Sequence, residues 1–583
     1  MTAETKTCQN CKNNFVIEPE DFKFYEKMQV PPPTFCPDCR FQRRAMFRNE
    51  RKLFWVKSAK SGKEILSLYP PESWFAIYDE KEWWSDDWDP MEYGKDYDFS
   101  RPFFEQFFKL SKTVPRYSRD VMNMVNSDYS ANASDLKNCY LLFNSNFTED
   151  SAYGNAVDGS AFCFDNSHLS KCERCYNSFW LTNCYQTNFS SQCEDSNNVW
   201  FSKNCRGCSD CFGCVNLRGK KYHIFNEPYS KEDYEKKLRS LSLHTASGVD
   251  RAKAKAHVFW FQFPNKYLQG IKNLNSSGEY VTNSKNVKHS YLIREGEDMK
   301  YAQYMQVPPH KDLMDVTVGG NGMELSYEDV VCGWGKLYKV KFCAECWPDD
   351  IDLEYSMFCS SCSDLLGCMG LRKKRYCILN KQYSKEEYEI LKEKIKKHMD
   401  EMPYIDKKGR IYKYGEFFPA EISPFAYNQT IAIQHFPLKK EEAEAQGFQW
   451  HEPNRREYEI TMKAEDIPES IQDIGDEILK EVIQCAECKR AYRLIKQELD
   501  FLKRERIAAP RICVDCRHEE RISQRNKARF YERQCMCDYK VFNNFSKHEN
   551  HPEERCPDKF ETAYPPESKD IVYCEACYLK EVV

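Results

Sequence analysis

Two cysteine frames, one near each end of the chain, limit what this sequence can fold into more than any other feature. Cys8-x2-Cys11 is followed by Cys36-x2-Cys39, and Cys485-x2-Cys488 is followed at the same interval by Cys513-x2-Cys516. Every cysteine of the second frame stands 477 positions after its counterpart. The match includes Phe24 with Phe501, Pro33 with Pro510 and Asp38 with Asp515, and the run Arg40, Arg44, Arg48, Asn49 with Arg517, Arg521, Arg525, Asn526. Two CxxC turns offer four soft sulfurs, which satisfy a tetrahedral ion such as Zn²⁺ with no open position. A closed site of this kind is structural, and its binding energy is largely folding energy. Cysteine as a small buried apolar residue does not explain the repeated spacing. A thioredoxin-like redox pair would sit beside a βαβ unit, and nothing around these motifs reads as one.

A third frame follows. Cys535-x-Cys537 and Cys574-x2-Cys577 predict another zinc quartet, with Cys556, His548 and His551 as spare candidates between them. Its N-terminal counterpart is recognisable because Tyr69-Pro70-Pro71-Glu72-Ser73 recurs as Tyr564-Pro565-Pro566-Glu567-Ser568. On that register Ser58, Lys60, Asp79 and Glu82 stand where Cys535, Cys537, Cys574 and Cys577 stand. A lysine is no routine zinc ligand, so this copy reads as metal-depleted, with a replacement core of Trp74, Phe75, Trp83, Trp84 and Trp88. The expected cofactor is about three structural Zn²⁺ ions.

Composition narrows the class. The 583 residues include 30 cysteines, 36 Tyr, 37 Phe and 11 Trp, a balance that describes an ordered chain rather than a disordered one. No apolar run approaches the ~18–20 residues of a membrane span, and the N-terminus carries no hydrophobic signal region. The expectation is therefore a cytoplasmic protein, without a membrane partner, whose cysteines serve metal before disulfides. A net charge of −5 argues against wholesale coating of nucleic acid.

Mid-chain cysteines follow another rule. Cys163, Cys184 and Cys205 recur at intervals of 21, as do Cys172, Cys193 and Cys214, among Asn, Ser, Asp and aromatic residues. A fixed period of this kind predicts a β-solenoid with about 21 residues per coil, cysteines facing inward and Asn side chains stacking along the coils. Cys205, Cys208, Cys211 and Cys214 also resemble the ligand run of an iron–sulfur cluster. A second copy of the segment disfavours that reading: at an offset near 154, Cys205, Cys208 and Cys214 map to Cys359, Cys362 and Cys368, but Cys211 maps to Leu365. Leucine replaces cysteine in an apolar slot and not on iron. Each copy closes with a helix, N-capped by Ser230 or Ser384, that covers the last coil.

The expected class is thus mainly β with capping helices, two duplicated solenoid domains flanked by zinc-ribbon modules. The predicted segments are a first ribbon (1–52), a metal-depleted ribbon with an acidic, aromatic stretch (53–122), a first solenoid with its cap (123–243) and a linker (244–278). A second solenoid with its cap (279–399), a mixed connector (400–483) and two further ribbons (484–533 and 534–583) complete the chain. In the connector, Pro468 is expected to start a helix whose apolar face is Ile471, Ile474, Ile478 and Val482.

The segments Cys36-Pro37-Asp38-Cys39-Arg40 and Cys513-Val514-Asp515-Cys516-Arg517, each after a CxxC and before an arginine-rich stretch, resemble uncharacterised bacterial zinc-ribbon domain proteins with a CxxC…CPxCR pattern. The resemblance extends over one ribbon's length at each end, implies zinc on those cysteines and adds little about activity. The whole layout is similar to large zinc-ribbon proteins of environmental bacteria.

The function these features favour is a zinc-binding scaffold that works by contacting a protein partner. The alternative is RNA or ribosome binding through Arg40, Arg43, Arg44, Arg48, Arg517, Arg521 and Arg525, against which stands a plain solvated helix face. An enzyme is the third reading. No HExxH, Walker A, nucleophile elbow or dinucleotide fingerprint is present, and no small-molecule substrate or catalytic residue is inferred.

Overall fold

From residue 132 to residue 225 the backbone enters the left-handed region at every third position, with φ between +47° and +66°. Asn and Asp tolerate that region best among residues with a side chain, and they supply many of these corners, Asn132, Asp135, Asn138, Asn144 and Asp150 among them. The residue after each corner faces inward, so Leu136, Cys139, Leu142, Ser145, Thr148 and Ser151 are all buried. Four such three-residue steps close one coil. The computed structural model, which describes residues 2–452, 458–541, 546–548, 551 and 554–582, therefore shows a mainly β protein built on stacked coils, with helices and cysteine clusters at both ends.

The coil length corrects the expected 21. Asn155 pairs with Ser167 and Ser167 with Phe179 in parallel register, so one coil advances the chain by 12 positions. The second solenoid keeps 12 at Tyr291–Gln303 and Leu353–Leu365, but widens to 14 at Met305–Gly319 and 13 at Val316–Asp329. Since 21 is a multiple of three, a side chain 21 positions on still faces inward, but on a different wall of the next coil. The inward atoms satisfy the coils above and below. Ser151, Ser160 and Ser202 accept hydrogen bonds from the N–H groups of Cys163, Cys172 and Cys214, 12 positions on, at 2.9–3.0 Å. Cys163 Sγ lies 3.3 Å from the Ala161 carbonyl and Cys184 Sγ 3.3 Å from that of Thr182. Cysteine thus fills the axis while offering a weak donor to carbonyls that point into it.

Helices close the coils as expected. Ser230 accepts from Asp233 N–H at the start of Lys231–Ser240, and Ser384 with Glu387 forms a full capping box on Lys385–Glu401. One local expectation needs changing. Residues 471–480 form two 3₁₀ turns, Ile471–Asp473 and Asp476–Lys480, broken at Gly475, although Ile471, Ile474 and Ile478 are buried as the periodicity required. The linker contains a helix, Ala246–Trp260, capped by Thr245 and buried along Ala252 and Ala256.

The terminal modules dock crosswise. Helix Pro37–Ala45 of the N-terminal frame lies on the second solenoid, whereas helix Val514–Ser523 of the C-terminal frame lies on the first. Conversely, Ile77–Tyr78 of the N-terminal module pairs in parallel with Arg116–Tyr117 just before the first solenoid, and Val572–Tyr573 pairs with Asn265–Lys266 before the second. The internal duplication seen in sequence thus extends to how the halves are joined.

Candidate metal centres

Each terminal frame places one CxxC in a tight turn and the other at a helix start. Cys8 N–H bonds to the Asn13 carbonyl, and Lys12 takes φ +64° to close the turn; Cys485 and Lys489, at φ +62°, repeat this. Cys36 and Cys513 are the N-cap residues of Pro37–Ala45 and Val514–Ser523, where free N–H groups work against the neighbouring Cys39 and Cys8 thiols that push Cys36 up and the burial that brings Cys513 to about 11. Cys8, Cys11, Cys36 and Cys39 bring all four sulfurs within 4.8 Å of one another, as do Cys485, Cys488, Cys513 and Cys516. Cys11 Sγ and Cys36 Sγ are 3.6 Å apart, as are Cys488 Sγ and Cys513 Sγ, and Cys485 Sγ and Cys516 Sγ are 3.9 Å apart. A tetrahedral ion with Zn–S of ~2.3 Å needs sulfurs about 3.8 Å apart.

Supporting donors repeat as well. Cys36 N–H bonds to Cys8 Sγ and Cys513 N–H to Cys485 Sγ, both at 3.2 Å, while Asn10 Nδ2 reaches Cys39 Sγ and Arg490 Nε reaches Cys488 Sγ at 3.3 Å. Neighbouring thiols of Cys36 and Cys39 pull the Cys8 thiol well below its ordinary range. At Cys488 burial resists ionisation, but the Arg490 guanidinium and backbone outweigh it and bring the thiol to about 7. Such N–H···S contacts are the outer shell that orients metal thiolates.

The third module holds two clusters rather than one. Cys535, Cys556, Cys574 and Cys577 form one group within 4.8 Å, and Cys537, His548, His551 and Cys577 a second, all buried. The expected quartet of Cys535, Cys537, Cys574 and Cys577 is therefore split: Cys556 completes the first group, and Cys537 belongs to the second. Cys577 is common to both. His551 Nε2 is 3.1 Å from Cys577 Sγ, with its Nδ1 on the Glu554 carbonyl at 3.0 Å. His548 Nδ1 is 3.6 Å from Cys537 Sγ, and its Nε2 is 2.8 Å from Glu581. Each imidazole thus turns one nitrogen to the cluster and ties down the other, the arrangement a metal-bound histidine needs.

The structure also explains the metal-depleted copy. Ser58 Oγ hydrogen-bonds the Glu82 carboxylate, Asp79 N–H reaches Glu82 at 3.2 Å, and Lys60 Nζ lies 3.4 Å from Asp87. Ordinary polar contacts occupy the places of Cys535, Cys577, Cys574 and Cys537. The chain from Lys60 to Asp79 is much shorter than that from Cys537 to Cys574, and the added stretch supplies His548, His551 and Cys556. Of the expected aromatic core, Trp83 and Phe75 are buried but Trp84 is exposed.

The sequence offers the seven arginines as nucleic-acid contacts or as a plain solvated helix face, and the structure shows neither: it turns them inward. None is more than 6% exposed. Arg40 and Arg44 reach Asp315 at 2.8 and 3.1 Å, and Arg43 reaches Glu328 at 2.9 Å and Glu416 at 3.2 Å. At the other end Arg517 and Arg521 reach Asp165 at 3.0 and 3.2 Å, with Glu498 3.0 Å from Arg517. Asp165 and Asp315 are equivalent, each standing three coils and four positions before the matched Cys205 and Cys359. Arg48 bonds Asn132 at 3.1 Å and Arg525 bonds Gln434 at 2.6 Å. Helical spacing shows the arginines but not the carboxylates of Asp165, Asp315 and Glu328, which lie in distant parts of the chain. The one available sign is that matched arginines face matched aspartates.

Cys205, Cys208, Cys211 and Cys214 sit on successive walls around the solenoid axis, with Cys208, Cys211 and Cys214 each 3.4 Å from a carbonyl two positions back. Among the described residues no helix is long and apolar enough to cross a membrane. No protein-family description, curated protein or solved structure matches this chain.

Proposed function

We propose that this protein is a zinc-stapled binding scaffold whose metal sites are structural. The observation that carries the reading is the closure of the four clusters. Each has four thiol or imidazole ligands, leaving no vacant position for a substrate, and at least three of the four are buried. Two of the three Cys₄ clusters, those of Cys8–Cys39 and Cys485–Cys516, sit beside the arginine helices that lock onto the solenoids, so metal there would fix the angle at which each terminal module meets its coils. Thirty cysteines kept as thiols, in tetrads at the ends and along the coil axis, support a reducing compartment. The solenoids offer long regular faces, the surface on which repeat proteins meet partners.

Elemental analysis of the purified full chain tests this. About four zinc and no iron per chain are expected, and chelation should unfold the ends before the coils. Iron with acid-labile sulfide, or a chain that holds no metal and melts identically with and without chelator, would refute it. Against the nucleic-acid reading stands the burial of the arginines that motivated it: Arg40, Arg43, Arg44, Arg517 and Arg521 pair with buried carboxylates, and Arg48 and Arg525 bond the side-chain amides of Asn132 and Gln434.

A further inference from the structure

Between the two solenoids lies a cavity of about 560 Å³, within the ~300–1,000 Å³ range of small-molecule pockets. Coils of the first solenoid form one wall, coils of the second form another, and Arg48 and Glu50 of the N-terminal module close the floor. It shares no residue with the metal clusters.

Among the described residues, two buried polar atoms of its lining have no hydrogen-bond partner: Arg48 Nε and His168 Nε2, on side chains 4% and 1% exposed. Leaving such a group unpaired costs about 1–3 kcal/mol. Arg48 Nε–H is a donor. His168 is of the opposite kind: burial, with Arg525 nearby, lowers its pKa to about 3, so the ring is neutral, and its Nδ1 lies 3.3 Å from Gln306 Oε1. With the proton on Nδ1 facing that carbonyl oxygen, Nε2 is left as an acceptor. The lining thus asks for groups that both give and take hydrogen bonds without carrying charge, which is the description of a hydroxyl. Glu50 and Asp158 beside them add acceptors and disfavour an anion.

The lining ends in tryptophans. Trp84 and Trp334 are 49% and 42% exposed, unusual for so large an apolar ring. Trp334 also holds φ +94° between Gly333 and Gly335, a strained backbone for a bulky residue. Flat exposed rings stack on the C–H faces of a ring whose edge carries hydroxyls.

We infer that the cavity between the solenoids binds a neutral saccharide, seated on Trp84 and Trp334 and hydrogen-bonded by Arg48 and His168. A quaternary ammonium ion would also suit tryptophan and carboxylate, but it would leave both unpartnered nitrogens unmet. The test is tryptophan fluorescence and calorimetry on the full chain with glucose, galactose, N-acetylglucosamine and cellobiose, and with choline as contrast. Saturable binding of at least one saccharide is expected, weakened about tenfold by Trp334→Ala, a loss of about 1.4 kcal/mol, and also by His168→Gln. Trp334 is exposed, so that variant should melt with the parent chain. Absence of binding by all four sugars, binding that survives both substitutions, or binding of choline alone would overturn the inference.

Discussion

Replacing Asp315 by Asn tests how the terminal modules are held. The carboxylate is fully buried and serves two guanidinium groups, Arg40 through Nε and Nη2 at 2.9 and 2.8 Å and Arg44 through Nη1 at 3.1 Å. Asn keeps the volume and removes the charge. Three buried arginines, Arg40, Arg43 and Arg44, would then face only Glu328 and Glu416, and Glu328 is 3.5 and 3.7 Å from Arg40 and Arg44. Breaking a buried pair by removing one partner costs about 3–5 kcal/mol. That is a large share of a typical folding stability of about 5–15 kcal/mol. Because these arginines sit on the helix that follows Cys36, the loss should appear as undocking of the N-terminal module rather than loss of its metal. Urea melts with limited proteolysis should show early cleavage near residues 46–53, with the zinc content unchanged. Asp165→Asn should act alike at the C-terminal frame. A melt of Asp315→Asn within about 1 kcal/mol of the parent chain would refute the reasoning.

Three further outcomes follow from the geometry. Cys577→Ser should release two metal ions, whereas Cys537→Ala should release one, as counted by mass spectrometry of the native chain; loss of a single ion from Cys577→Ser would exclude the shared thiolate. Cys211→Leu adds bulk to the packed axis and should cost about 1–3 kcal/mol in a denaturant melt without loss of the coil, because Leu365 fills the matching slot of the second solenoid. Burial opposes ionisation of Glu354, but Lys341, Lys392 and Lys396 outweigh it and hold this carboxyl well below its ordinary range. Its stabilisation is therefore present above about pH 4.3 and is lost as pH falls below that; Glu354→Gln should flatten the acid limb of the stability profile.

Much of this architecture was legible in the residues. Spacing alone grouped Cys8, Cys11, Cys36 and Cys39 and their counterparts, because a chelate turn fixes ligand separation locally. The caps at Ser230 and Ser384 are equally local. The coil length was not read correctly, since the inward rule has a period of three and the most visible cysteines happen to fall 21 apart. A recurrence of 12 was present in Asn126, Asn138 and Asp150, whose side chains hydrogen-bond in series at 3.1 and 3.0 Å. It was obscured because Tyr153, His168 and Trp180 occupy corners that composition would not assign to them. The arginines misled for a different reason: charge on a helix reads as exposed unless buried carboxylates are known to face it, and Asp165 and Asp315 lie in the solenoids, far along the chain. The pairing of His548 and His551 with Cys537 depends on a long excursion returning to Cys577, which no local spacing encodes.

The central claim is that sulfur at the two ends grips metal while sulfur in the solenoids fills the axis. Mass-spectrometric mapping of alkylated cysteines, before and after chelation under native conditions, separates the two roles residue by residue. The 13 cysteines at positions 8–39 and 485–577 should be protected at first and become modified when metal is withdrawn, while the 17 at positions 139–377 stay protected throughout. Modification of the solenoid cysteines on chelation, or terminal cysteines that react freely before it, would contradict the account.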